Sequence, residues 1–282
     1  MRKRAIISVN AAVLLFGLAG LFAKWIDLPA LGITFGRVLF SAAALGIYIK
    51  AGRQSLRLAD RKDRLSLLGG GTILALHWWA FLGSIQRSTV AVGTITFASF
   101  PLFVTFLEPL LRRRKPEKQD VAIAAIILIG VLITASGSSF EGRMLPGFLI
   151  GMVSSAAYAV LTVMNKRISE RYSGTVTAFY EQTTAAVVLL PFAIGAKLRP
   201  SADDLALLLF LGVVTTALAH SLFIASLKTL PAQLAGVCAS LETVYGILFA
   251  FLLLGEAPSV REIIGAVVVV GAVVIAQTRR ER

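Results

Sequence analysis

Charge is what this sequence is shortest of. Asp, Glu, Lys and Arg make up only 15% of its 282 residues, against roughly 25% in an ordinary soluble domain, which argues against a fold with a water-facing polar surface. Cysteine is nearly absent: Cys238 stands alone, so no intrachain disulfide can form. Two histidines, one thiol and no HExxH stretch leave no clustered acid, base or metal-ligand set, which speaks against a membrane enzyme and against any metal or other cofactor. No GxxxxGK[ST] loop occurs, so the chain does not hydrolyse ATP itself. Nor is there the alternation of apolar and polar residues over about 10 positions that a membrane β-barrel needs.

What is abundant is apolar sequence, 57% of the chain, in long uncharged runs such as Leu65–Gln86, Ser88–Leu107, Val121–Phe140 and Met144–Asn165. About 20 such residues in helical form cross the ~30 Å hydrocarbon core of a bilayer. The runs predict an all-α integral membrane protein with spans near 5–24, 29–49, 65–87, 88–111, 120–139, 146–165, 175–196, 205–227, 231–254 and 261–278. The opening MRKR and uncharged Ala5–Ala23 are read as the first span, because the run exceeds the roughly 7–15-residue core of a signal peptide.

The formal charge of +13 comes from 28 basic residues that lie almost wholly in the connectors. A groove-binding protein would gather them on a folded polar surface, so nucleic acid is not an expected partner. With the N-terminus inside, the cytoplasmic segments (the N-tail, 50–64, 112–120, 166–174, 228–230 and 279–282) hold 21 of the 28, and the opposite connectors hold six. This bias places both termini in the cytoplasm of a multi-pass cell-membrane protein (an inner or plasma membrane), provided the number of spans is even.

The chain also reads as two halves. Shifted by 141 residues, Ser88–Ser136 aligns with Thr229–Gln277 without a gap, with nine identities in 49 positions that include Ser99/Ser240 and Gly130/Gly271. After the fourth span the chain reads RRRKPEKQD, whereas the matching place after the ninth reads GEAPSVRE. Five spans per half would insert the second half upside down, which explains the opposite charge dressing. The expectation is two inverted five-helix repeats, 5–139 and 146–278, with a site near the midplane between them.

The segment STVAVGTITFASFPLF, Ser88–Phe103, and the segment LPAQLAGVCASLETVYGILFAFLLLGEAPSVREIIGAVVVVGAVVIA, Leu230–Ala276, resemble the repeated signatures of EamA-type transporters of the drug/metabolite transporter superfamily. The resemblance covers residues 5–278. It implies ten helices in two inverted repeats and a membrane exporter of amino acids, metabolites or drugs. Two departures stand out: Glu242-Thr243 where the family often has Glu-Pro, and Arg114-Lys115 where it has Gly-Glu. The first leaves open whether the ninth helix is bent here; the second follows from topology.

Candidate pathway residues are those that break the apolar rule. Three spans carry one interior charge each, Arg37, Glu181 and Glu242, and a charge at the bilayer centre costs about 2.5–3.5 kcal/mol on insertion scales. Glu242, near the midplane and matched in the first half by Pro101, would bind a cationic group or exchange a proton; otherwise it is a structural carboxyl bonded to neighbouring helices. Arg37 (in FGR) and Glu181 (in FYE) read as pseudo-equivalents that face substrate or else snorkel to headgroups. Glu108 reads as the partner of Arg112, four residues on. His77, Trp78 and Trp79 could wall an aromatic or cationic solute, but neighbours point about 100° apart on a helix, so not all three can face one cavity. His220 is a proton relay or a residue with one neighbour hydrogen bond; Tyr180 and Tyr245 are pathway or packing residues. Gly32-x-x-x-Gly36 and Gly147-x-x-x-Gly151 read as close helix contacts.

A secondary transporter acting on a small solute in the lipid bilayer, with protons as a possible coupling ion, is the leading expectation. A facilitative uniporter or channel-like permease is the alternative, although rings of pore-lining charge are absent; a membrane enzyme or assembly protein is the less favoured one.

Overall fold

The computed structural model describes residues 2–111, 113–135, 145–255 and 257–279, and among these every regular element is a helix. In chain order they are α1 (Arg2–Ala19), α2 (Phe22–Trp25), α3 (Ala30–Ala51), α4 (Arg61–Arg87), α5 (Val90–Phe97), α6 (Phe100–Leu111), α7 (Lys118–Ala135), α8 (Leu145–Ile168), α9 (Gly174–Gly195), α10 (Ala202–Gly212), a π-helical stretch Val213–Leu218, α11 (Ala219–Leu227), α12 (Ala232–Ala239), α13 (Leu241–Leu254) and α14 (Val260–Arg279). Seven helical stretches among the described residues are long and apolar enough to cross a membrane: Arg2–Trp25, Ala30–Ala51, Arg61–Arg87, Leu145–Ile168, Gly174–Gly195, Ala202–Leu227 and Ala232–Leu254. Shorter apolar helices accompany them, Phe100–Leu111 among them. Large apolar side chains such as Ile47, Val187, Ile194 and Val267 are exposed on the outside of the bundle. Water would penalise such a surface, whereas lipid accepts it.

Caps fix where several helices start. The Asp60 carboxylate accepts from the Asp63 N–H at 2.9 Å to open α4, and the Ser173 hydroxyl does the same for Val176 in α9. Ser201 and Asp204 form a reciprocal capping box at α10. At α12 the cap comes from far away in sequence, for Glu108 of α6 accepts from the Gln233 N–H at 3.2 Å. Arg112, the expected partner of Glu108, lies outside the described residues, as do 136–139 at the end of the fifth expected span.

Four expected spans are interrupted. The chain tightens at Gly20–Leu21, Ala98–Ser99 and Ser240, and widens into the π-helical stretch at Val213–Leu218. Pro101 has no N–H to give to the Phe97 carbonyl, which instead accepts from the Ser155 hydroxyl at 3.4 Å. The break at Ser240 occurs without a proline, so Thr243 in place of proline does not keep that helix straight.

Element boundaries recur along the chain. α4 and α10 start at 61 and 202, and α6 and α13 at 100 and 241, both 141 apart; α3 and α9 start at 30 and 174, 144 apart. The packing is paired in the same way. α3 lies on α9 and α7 on α14, while α4 against α8 is matched by α11 against α1. Two glycines show the match at atomic scale. A Cβ on Gly71 of α4 would stand 2.6 Å from the Glu181 carbonyl oxygen, and one on Gly212 of α10 would stand 2.9 Å from the Arg37 carbonyl oxygen. Each glycine lets its helix press directly on the backbone that carries a buried charge. The two Gly-x-x-x-Gly pairs do the same work: Gly36 abuts Leu208, and Gly151 abuts Thr96 and Ser84.

Candidate functional site

Two of the three interior charges, Arg37 and Glu242, come together at one place in the bundle. α3 brings Arg37, α4 brings His77, Trp78 and Phe81, and α13 brings Glu242 to one small central cavity, also lined by Phe16, Phe97 and Tyr158. Its volume is about 20 Å³, room for one water molecule.

Arg37 is only 1% exposed. Its Nε donates to the Thr216 hydroxyl at 3.0 Å, and its guanidinium carbon sits 4.1 Å from the Trp78 ring centroid. The π-helical stretch makes the first contact possible: the Thr216 hydroxyl reaches back five residues to donate to the Leu211 carbonyl at 2.7 Å, leaving its lone pair for Arg37. Burial therefore rules out snorkelling for Arg37, and for Glu181, which is also 1% exposed. Glu242 is the opposite charge at the cavity, and no ion pair joins it directly to Arg37 among the described residues. The cavity therefore brings a guanidinium, a carboxyl group and several aromatic rings together.

His77 is held by Ser154, with Nδ1 2.8 Å from the hydroxyl and 3.1 Å from the carbonyl oxygen, and its ring lies 4.5 Å from that of Tyr158. Behind Trp78 is a second buried group. His220 Nε2 lies 2.8 Å from Glu181 Oε2, both side chains 1% exposed, and Asn165 donates to the same oxygen at 3.3 Å. The His220 ring meets the Trp78 indole edge-on at 5.7 Å. Trp78 is thus shared by Arg37 and His220.

Other expected residues lie elsewhere. Trp79 points outward and is 40% exposed. Tyr245 is half-buried against Gly17 of α1. The Tyr180 hydroxyl donates to the Leu56 carbonyl at 2.7 Å, at one end of the bundle. Residues that sequence reasoning passed over are Tyr158, Asn165 and the phenylalanines of the cavity. The one signal for Tyr158 was a hydroxyl deep in an uncharged run, where it finds no hydrogen-bond partner among the described residues.

At that same end, connectors from the two halves are tied together. Arg171 donates to Asp60 at 3.0 Å and to Asp63 at 2.6 Å. The Tyr172 hydroxyl donates to Asp63 and accepts from the Ala59 N–H, each at 2.7 Å. The Asp63 N–H, then the Arg171 guanidinium, hold the Asp60 carboxyl below its ordinary range. At the opposite end Asp204 accepts from the Asp27 N–H at 3.0 Å, and Gln86 bridges Leu28 and Ala30.

The sequence profile of the EamA-like transporter family matches this chain twice, over residues 3–136 and 145–278. The chain belongs to the EamA-like transporter family. Among similar proteins, the uncharacterized transporter YxxF of Bacillus subtilis is 23% identical, covering 99% of this chain and 91% of its own. A transporter of Archaeoglobus fulgidus is 25% identical over 95% of this chain and 94% of its own. A protein named S-adenosylmethionine uptake transporter, from Rickettsia bellii, is 25% identical over 85% of this chain and 81% of its own. A solved crystal structure superposes over 100% of both chains with a TM-score of 0.82 at 19% identity, a likeness of fold. The cavity described above therefore belongs to a multi-pass membrane protein of a transporter family.

Proposed function

We propose that this EamA-like protein is a secondary transporter that moves small metabolites, amino acids or amphipathic drugs out of the cell by alternating access, with protons as the coupling ion. In this reading it crosses the cell membrane ten times as two inverted five-helix repeats, with both termini in the cytoplasm. The two family matches, the recurrence of helix starts and the paired packing support the repeats.

The observation that carries the transport reading is the central cavity. Arg37 and Glu242 share it with a set of aromatic rings, yet at about 20 Å³ it is closed to any metabolite. Solute can occupy it only if the halves part, first on one side and then on the other. The tie between Asp60, Asp63, Arg171 and Tyr172 is the contact that would break to open one end. A permanently open channel needs no such closed centre.

A solute screen in proteoliposomes, with and without an imposed pH gradient, tests this. S-Adenosylmethionine, the named solute of the Rickettsia relative, is the first to include. Saturable flux of at least one small solute, driven against its gradient by protons, is expected. Flux that rises linearly with concentration, or none from either side, would count against a carrier.

A further inference from the structure

The buried Glu181–His220 pair stands apart from the cavity, and nothing in the transport reading so far uses it. Its members come from α9 and α11 and meet at 2.8 Å, with Asn165 of α8 on the same carboxylate oxygen. On the far side of the ring, His220 Nδ1 is buried without a partner among the described residues. A neutral imidazole whose Nε2–H donates to Glu181 therefore has a bare lone pair at Nδ1.

We propose that this pair is the proton-binding site of the transporter, separate from the cavity that takes the solute, and that Trp78 links the two. The inference rests on the transporter reading. A hydronium O–H bond breaks as its proton adds to the His220 Nδ1 lone pair, giving an imidazolium still bonded to the Glu181 carboxylate and leaving water; on the opposite side that N–H bond breaks as the proton passes to water to re-form hydronium.

Around the pair stand the uncharged Asn165 of α8, bonded to the Glu181 carboxylate, and Gly70 of α4, packed against it, with His77 of α4 and Tyr158 of α8 as titratable neighbours. Arg37 of α3 and Glu242 of α13 lie at the cavity, on the other side of Trp78. The adjoining π-helical stretch offers the uncharged Thr216, bonded to Arg37, and the basic residues of α1 lie at its start. The buried centre holds one guanidinium, that of Arg37, and two carboxyl groups, those of Glu181 and Glu242. In the proposal a proton on His220 supplies the second positive charge to match them. A solute bearing one positive charge achieves the same balance, so proton and cationic solute exclude each other across the centre.

Trp78 supplies the linkage. Its indole is stacked under Arg37 at 4.1 Å and touched edge-on by His220 at 5.7 Å. When His220 becomes an imidazolium, two cations flank one ring and repel, and Arg37 is driven from Trp78 towards Glu242. Loss of the proton lets it return.

The test reads Trp78 directly. In a Trp25→Phe/Trp79→Phe background, Trp78 is the sole tryptophan, and its fluorescence in nanodiscs should be quenched as pH falls through one single-proton transition. His220→Gln should abolish that transition, and Glu181→Gln should move it to more acid pH, because the imidazolium loses its counter-charge. A transition that survives His220→Gln, or that is absent from the parent, overturns the proposal. If His220→Gln does not fold, an unmoved transition in Glu181→Gln overturns it as well. In proteoliposomes, solute counterflow, which needs no proton gradient, should persist in His220→Gln while gradient-driven accumulation is lost. Retained gradient drive would refute the proton site. Absence of counterflow from the parent protein would instead refute the transporter reading.

Discussion

A guanidinium stacked on an indole in the middle of a membrane bundle is held by geometry as much as by charge. Arg37 uses a planar group to lie on Trp78 while its Nε bonds Thr216, and lysine can reproduce neither contact well. Arg37→Lys should therefore cost roughly 2 kcal/mol of solute binding, about 30-fold in affinity. Glu242→Gln should weaken cationic solutes by a similar factor and leave neutral ones nearly unchanged. Binding of a solute found in the screen, measured by calorimetry on the purified variants, checks both. Equal affinities in parent and variants would remove these residues from the solute site. At this scale the sequence was legible for residue type but not for direction. Soluble helices betray their buried face by a polar stripe on the other side, whereas in lipid both faces are apolar. That is why Trp78 and Trp79 looked alike, although only Trp78 faces inward, and why Arg37 and Glu181 could be read as snorkelling. Tyr158 was missed for a related reason: it carries no charge to mark it out. The pairing of Glu181 with His220, 39 residues apart, is a tertiary fact that no spacing rule predicts.

At the scale of elements, the connectors matter most. The 52–60 connector of the first half and the 169–173 connector of the second are held together by Arg171, Asp60, Asp63 and Tyr172, with Ser173 and Gln54 3.4 Å apart beside them. Because the Asp60 carboxyl sits below its ordinary range, its contribution is complete above about pH 4. It is lost only as pH falls through that lowered value. Transport that varies between pH 5 and 8 therefore does not originate in this tie. Linking Gln54→Cys to Ser173→Cys in a Cys238→Ala background should arrest transport, and reduction should restore it. Undiminished flux in the cross-linked protein would show that this end does not open. Long apolar runs announced where helices lie, but not the interruptions at Ser99, Ser240 and the π-helical stretch. Those depend on local carbonyls finding partners on neighbouring helices, as Phe97 does with Ser155.

For the whole molecule, the account is of two matched halves around a closed centre that opens alternately. In the sequence the proposed halves rest on a faint 141-residue repeat with opposite charge dressing, and the family profile matches the chain twice, over 3–136 and 145–278. The closure was not visible, since a cavity of about 20 Å³ is a property of packing. Its alternation is tested most directly with a thiol placed at Ala19, which lines the cavity. In a Cys238→Ala/Ala19→Cys variant reconstituted in sealed vesicles, an impermeant methanethiosulfonate reagent should modify that thiol from the inside and, in separate vesicles, from the outside, with no ion conductance. Modification from one side only, or from both sides with a measurable ion leak, would contradict alternating access.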